Sequence, residues 1–403
     1  FKQKTAYEIV SRDWSSDVCS SDLGMENDNR VQSEPRIERF QTLDGARGMA
    51  AICVMLFHFS ANGLATATLF PNAFAAVDYF FCLSGFVLSF TYDQRLRDGM
   101  TAGNFMTRRL VRLYPMYFMG LLLGVAAEFL VPSTSWGWRQ ILLAASMSLF
   151  FLPTLSPFSV RNGELTIGDY LFPLNAPAWS MFYELVVNWI YGLARPSTLA
   201  VVAIVVLSFA CLVPSLFYHG LPAGFSISTF AGGVPRALFF FFAGVLVFRA
   251  WRRFPLRLPA FLTAICPILS LAAVVAICAL PFGPRLYFAS VLVIPALIWA
   301  GTIAPATEIE RRAYSFLGEV SYPVYAIHAP IMIALQPPPG SAPIFSSPMV
   351  LALGAALVAA AFVASRIWDI PARRRLSRWA GSLHPRLASL TSRLPPGSTL
   401  PKN

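Results

Sequence analysis

Long apolar runs separated by short polar loops are the feature that most constrains the fold of this chain. A helix needs about 17 to 25 apolar residues to cross a bilayer. Runs of about this length occur at 48–68, 73–92, 113–131, 179–194, 197–217, 234–248, 259–280, 286–303, 321–337 and 348–366. Only 13% of the residues are charged and the mean hydropathy is +0.59, whereas soluble domains have about 25% charged residues. The sequence therefore predicts an all-α, polytopic integral membrane helix bundle with about ten transmembrane helices.

The basic residues indicate how these helices are oriented. Lys and Arg cluster in short loops near 95–112, 249–257 and 311–312, and again in the tail after 366. Because short basic loops stay in the cytoplasm, all of these clusters and both termini are expected there. This holds only if the short apolar stretch 140–155 is re-entrant or interfacial. The net charge of +11 is thus topology information, and no nucleic-acid partner is expected.

An arginine and a histidine stand eleven residues apart in the first apolar run. Eleven residues are three helical turns, so Arg47 and His58 share one helix face about 16 Å apart. This places a cation at the membrane rim and an imidazole near the midplane. A titratable group at that depth is costly, which makes a functional role the first hypothesis.

Other polar side chains interrupt later apolar runs. Asp78 lies in the second run on a face of small residues, a pattern that suits either a cavity or close helix packing. Ser180 and Glu184 follow one another at i, i+4, and Tyr325 and His328 share a helical face near the last runs. Glu184 is either a functional group or a structural partner for an Arg or Trp, and His328 is either functional or a packing residue.

Composition also divides the chain into segments. Residues 1–24 differ in character from the rest and are interpreted as an adapter-derived, non-native segment. A polar N-terminal tail is expected at 25–37, a membrane domain at 38–376 and a basic cytoplasmic tail at 377–403. The six cysteines show no CxxC spacing, so neither a disulfide framework nor a metal site is predicted.

Five ordered sequence blocks resemble the membrane acyltransferase 3 family, which includes bacterial O-antigen and exopolysaccharide O-acyltransferases. The similarity extends over most of 38–376, and no C-terminal SGNH-type esterase domain is expected. The blocks are LDGARGMAAICVMLFHF, VDYFFCLSGFVLSF, FMTRRLVRLYPMYF, NAPAWSMFYEL and LGEVSYPVYAIHAPI.

The resemblance implies transfer of an acyl group, most often acetyl, from cytoplasmic acyl-CoA to a hydroxyl of a cell-surface glycan or lipid-linked saccharide. Acyl-CoA would be a substrate, with no permanently bound cofactor, and the protein would lie in the bacterial inner membrane. His58 would act either as the general base or as a nucleophile that carries the acyl group. Glu184 would orient the imidazole or bind the acceptor.

The depth order of Arg47, His58 and Glu184 motivates the hypothesis of a tunnel through the bundle, in which the donor from the cytoplasm and the acceptor from the periplasmic side meet at His58. Guanidinium groups bind phosphate well, and CoA carries several phosphates. The residues expected to bind substrate are Arg47, Asp78, Arg108, Arg109, Arg112, Ser180, Tyr325 and His328.

Two other classes of protein remain open at this point. A proton-coupled transporter would use His58 and Glu184 as a relay, and it would be expected to contain internal repeats with interrupted helices. A non-catalytic membrane scaffold is the other alternative, but it leaves the cost of burying both groups unexplained.

Overall fold

The computed structural model describes residues 40–64, 67–130, 137–155, 170–219, 223–254, 259–281, 283–303, 307–335 and 345–391. The predicted segments 1–24 and 25–37 lie outside the described residues. The helices within the described ranges are α1 (Gln41–Phe59), α2 (Phe74–Arg97), α3 (Ala102–Leu130), α4 (Trp138–Leu149), α5 (Ala178–Ala194), α6 (Thr198–His219), α7 (Phe230–Arg253), α8 (Ala260–Ala279), α9 (Pro284–Ala300), α10 (Glu308–Leu335), α11 (Ser347–Ala364) and α12 (Ile370–Thr391).

Several helices have the length and composition of membrane spans. Within the described ranges, four segments are long and apolar enough to cross a membrane: Phe74–Arg97, Ala102–Leu130, Phe230–Arg253 and Ser347–Gly381. Shorter apolar helices occur at Thr198–Pro214, Ile265–Ala279 and Tyr287–Ala300. The helical architecture is therefore confirmed, while the number of about ten spans stays a prediction. With 12 residues, α4 is about 18 Å long, too short to cross a core of about 30 Å.

The bundle is built on two tight helix pairs, α1 with α10 and α2 with α7, and α10 also packs on α3. At the α2–α7 crossing the two backbones touch. A Cβ on Gly85 would lie 1.9 Å from the Phe241 carbonyl oxygen, and one on Gly244 would lie 1.9 Å from the Cys82 carbonyl oxygen. Small residues allow helices to approach this closely in a membrane. At Gly85, helix packing thus explains the small-residue face of α2.

Gly85→Ala is expected to lower stability by at least about 1–3 kcal/mol, the usual cost of overpacking a core. The added methyl group would meet backbone, which cannot swing aside. Gly381→Ala in α12 is the matched control, because a Cβ there meets nothing within 4 Å. Thermal unfolding in detergent measures both variants. Equal midpoints for Gly85→Ala and the wild type would contradict the close crossing.

A non-helical segment enters the bundle before α5. Residues 171–175 are all buried, and the Asn175 side-chain amide donates to the Ala326 carbonyl oxygen of α10 at 2.9 Å. Irregular backbone at such a place is tolerated when protein surrounds it and satisfies its polar groups. The segment starts α5 against the middle of α10, and this sets which side chains of the two helices meet.

Candidate active site

A cavity lies among α1, α2, α3, α5 and α10. Apolar side chains of α2 form much of one wall, and polar groups from the other helices complete it. The predicted site residues that line it are Arg47, Arg108, Arg109, Arg112, Ser180, Glu184 and Tyr325. Seven of the ten predicted site residues therefore share one cavity, although they come from four helices.

Contacts with its own helix and with α10 hold Arg47 in place. Its guanidinium donates to Ser321 Oγ and to the Gly318 carbonyl oxygen, each at 2.9 Å, and it pairs with Asp44 at 3.0 Å. The tight α1–α10 packing thus fixes the direction of this cation. It stands on the cavity wall with the three arginines of α3.

The polar stripe of α5 faces the same cavity. Glu184 forms an ion pair with Arg109 and accepts a hydrogen bond from Ser84 Oγ at 2.9 Å. One turn earlier, Ser180 Oγ and Tyr325 Oη share a hydrogen bond of 2.7 Å. Glu184 therefore has the arginine partner that the structural alternative foresaw, and its catalytic role stays a prediction.

The two histidines that the sequence singled out are in direct contact. His58 Nδ1 lies 2.8 Å from His328 Nε2, and the rings stack with centroids 5.0 Å apart. His328 Nδ1 lies 3.0 Å from the Val324 carbonyl oxygen. Neither histidine lines the arginine-rich cavity, but Tyr325 does, and its ring lies 5.8 Å from that of His328. The histidine pair is thus adjacent to the cavity, behind Tyr325.

Asp78 takes part in a buried ion pair instead of lining the cavity. Arg236 Nε donates to Asp78 Oδ1 at 2.6 Å, and both side chains are fully buried. The other guanidinium nitrogens donate to the Ala223 and Phe74 carbonyl oxygens at 3.0 Å. The guanidinium also lies 5.2 Å from the Trp179 ring. Sequence reasoning missed Arg236, although a lone arginine in the run FAGGVPRALFF signals a charge that needs a partner.

No group of three or more potential metal ligands occurs among the residues that the structure describes. The chemistry available at the site is that of imidazole, carboxylate, hydroxyl and guanidinium groups. An imidazole pair beside a cation-lined cavity is suited to moving a proton next to a bound anionic substrate.

Fold and site together define a multi-pass helical membrane protein with a polar site inside its bundle. A family model described as an acyltransferase domain, Acyl_transf_3, matches residues 40–366. The chain therefore belongs to this acyltransferase family, whose enzymes transfer acyl groups. The match confirms the resemblance seen in the sequence blocks and favours an enzyme over a transporter or a scaffold.

Individual relatives cover smaller parts of the chain. "Protein 2 in picA locus" of Rhizobium radiobacter is 38% identical over 40% of this chain and 84% of its own length. Acyltransferase MdmB of Streptomyces mycarofaciens is 29% identical over 36% of the chain and 40% of its own length. Exopolysaccharide production protein ExoZ of Rhizobium meliloti is 30% identical over 32% of the chain and 36% of its own length. No solved structure matches the chain significantly.

Proposed function

We propose that this protein is an integral-membrane O-acyltransferase that moves an acyl group, with acetyl as the first candidate, from cytoplasmic acyl-CoA to a hydroxyl of a cell-surface glycan. The observation that carries the proposal is the arginine-lined cavity beside the His58–His328 pair in a chain of an acyltransferase family. The similarity to an exopolysaccharide production protein supports a saccharide acceptor. The proposed location is the bacterial inner membrane, with both termini in the cytoplasm.

The arginines of the cavity supply the chemistry that an acyl-CoA donor needs. Arg108 and Arg112 lie one turn apart on α3 and line the cavity together with Arg47. Guanidinium groups form strong, charge-assisted hydrogen bonds with phosphate oxygens. Arg109 is committed to Glu184, so its part is to hold that carboxylate on the wall. The apolar α2 side of the cavity suits the pantetheine arm and the acyl chain.

His58 supplies the proton acceptor in this proposal. The acceptor hydroxyl oxygen attacks the thioester carbonyl carbon, and its proton passes to an imidazole nitrogen of His58. The C–S bond then breaks, an ester forms, and the thiolate of CoA leaves and takes up a proton. A neutral imidazole is the usual base for such a step near pH 7.

The direct test uses the purified protein in liposomes with radiolabelled acetyl-CoA and a bacterial exopolysaccharide as acceptor. Ester formation on the polysaccharide and release of free CoA in equal amounts are expected. A series of acyl-CoA donors with longer chains tests which acyl chain lengths the protein transfers. Neither acyl transfer nor thioester hydrolysis with any donor, from protein that remains folded, would overturn the proposal.

Arg108→Gln and Arg112→Gln are each expected to raise the KM for acyl-CoA about 10-fold or more, because a hydrogen bond to a charged group contributes about 1.5–3 kcal/mol. The value of kcat should change little, since phosphates lie far from the reacting thioester. Arg139→Gln on α4 is the matched control, because that arginine is exposed and does not line the cavity. Steady-state kinetics at low salt measures the effect.

The donor lacking its 3′-phosphate provides an independent check on these arginines. If one of them binds that phosphate, its substitution should have a smaller effect on KM with the dephospho-CoA thioester than with the full donor. An unchanged KM for the full donor in both variants would contradict the assignment of the cavity to CoA.

A further inference from the structure

His328 connects His58 to a backbone carbonyl, and this contact determines where the protons of both rings lie. Its Nδ1 is 3.0 Å from the Val324 carbonyl oxygen, an atom that only accepts hydrogen bonds. His328 Nδ1 must therefore carry a hydrogen. In a neutral imidazole the other nitrogen then has a lone pair, so His328 Nε2 is an acceptor.

The same rule determines which ring nitrogen of His58 carries the hydrogen. Its Nδ1 lies 2.8 Å from His328 Nε2, and an acceptor there requires a donor on His58. His58 Nδ1 therefore carries the hydrogen, which puts the basic lone pair on His58 Nε2. If His328 Nε2 donated to His58 Nδ1 instead, both nitrogens of His328 would carry a hydrogen and the ring would be a cation. The His328 side chain is fully buried, and a buried cation without a counter-charge is costly.

We infer that His328 is a positioning residue that holds His58 in the Nδ1–H tautomer, so that Nε2 is the nitrogen that accepts the proton of the acceptor hydroxyl. The inference rests on the proposed function, because it assigns a role in that reaction. It differs from the sequence prediction that His328 binds substrate, since His328 does not line the cavity.

His328 also stabilises the positive charge that His58 acquires during the reaction. When His58 Nε2 takes up a proton, the ring becomes an imidazolium that still donates from Nδ1 to His328 Nε2. A hydrogen bond from a charged donor is about twice as strong as a neutral one. In many triads a carboxylate orients the base; here Glu184 is paired with Arg109, and the second imidazole occupies the orienting position.

Two variants separate this role from simple packing. His328→Leu fills the space but offers no acceptor, so the contact that holds the hydrogen on His58 Nδ1 is lost. His328→Gln places an amide oxygen near the position of Nε2 and keeps an acceptor for His58 Nδ1. We expect kcat of His328→Leu to fall about 10- to 100-fold or more, by analogy with the loss seen when the hydrogen-bond partner that orients a metal-bound histidine is removed, with unchanged KM for acyl-CoA. His328→Gln should recover most of kcat.

A spectroscopic measurement reads the tautomer without any variant at position 328. The chain has four histidines, so replacing His219 and His384 with Asn leaves only the pair. Solid-state NMR of this protein with 15N-labelled histidine in bilayers should show both rings protonated at Nδ1 and unprotonated at Nε2. A through-hydrogen-bond coupling should join His58 Nδ1 to His328 Nε2. In His328→Leu the His58 signals should change to mixed tautomers.

The outcomes distinguish this inference from the proposed function. An active wild type together with a fully active His328→Leu would overturn the positioning role and leave the acyltransferase proposal standing. A protonated His58 Nε2 in the resting protein would do the same. A wild type that transfers no acyl group would overturn both, whatever the tautomer.

Discussion

His58→Gln is expected to reduce kcat for acyl transfer by about 10²- to 10⁴-fold, the usual contribution of a general base. The variant keeps a polar side chain of similar reach but offers no nitrogen lone pair. The KM for acyl-CoA should stay close to the wild-type value, because the substitution leaves the arginines of the cavity in place and His58 does not line that cavity. Steady-state kinetics in liposomes measures both parameters.

His219→Gln is the matched control, since it makes the same change at the end of α6 and should leave kcat unaltered. If His58→Gln kept the wild-type kcat, His58 would be neither the general base nor the nucleophile. A single-turnover experiment with labelled acyl-CoA and no acceptor then separates the two routes for His58. An acyl group bound covalently to the wild type, and not to His58→Gln, would identify a nucleophile; rapid transfer without such an intermediate would identify a base.

The helical spacing of Arg47 and His58 is a part of the site that sequence alone predicts correctly. Both residues lie in α1, and local periodicity suffices to place them on one face. His58 lies in the last turn of the regular helix, immediately before the π-helical turn Ser60–Leu64. The apolar pattern does not encode this wider turn, and the depth of His58 in the membrane stays a prediction.

Contacts between distant residues account for most of what sequence reasoning missed. His58 and His328 are 270 residues apart, and Glu184 and Arg109 are 75 apart. Helical periodicity indicates which face of a helix is polar, but the partner of that face depends on which helices pack together. The α1–α10 and α3–α5 pairs bring these groups into contact, and neither pair joins neighbouring helices in the chain.

The backbone segment that leads into α5 also depends on contacts with distant residues, which helical periodicity does not predict. Spacing alone predicts the polar stripe of Ser180 and Glu184. Its position against Tyr325 and Arg109 depends on the buried segment 171–175, which contains no helical period. Asn175 donates a hydrogen bond from that segment to the Ala326 carbonyl oxygen. Because this contact depends on the packing of α10, the local sequence does not predict it.

Asp78→Asn is expected to destabilise the protein by about 3–5 kcal/mol, the cost of leaving a buried charge without its partner. Arg236 would keep its two carbonyl acceptors and its contact with Trp179 but lose its counter-charge. Arg236→Met should cost a similar amount by leaving the carboxylate alone. Thermal unfolding in detergent and the yield of folded protein measure both effects.

The double variant Asp78→Asn/Arg236→Met decides whether the ion pair itself carries this cost. With both charges removed, the loss should be clearly smaller than the sum of the two single losses, because neither buried charge remains unpaired. The pair Glu319–Arg366 is the control: Arg366 is 56% exposed, and Glu319→Gln should cost no more than about 1 kcal/mol. If the two single losses simply add in the double variant, then the charges act independently, and the role of Asp78 is not to neutralise Arg236.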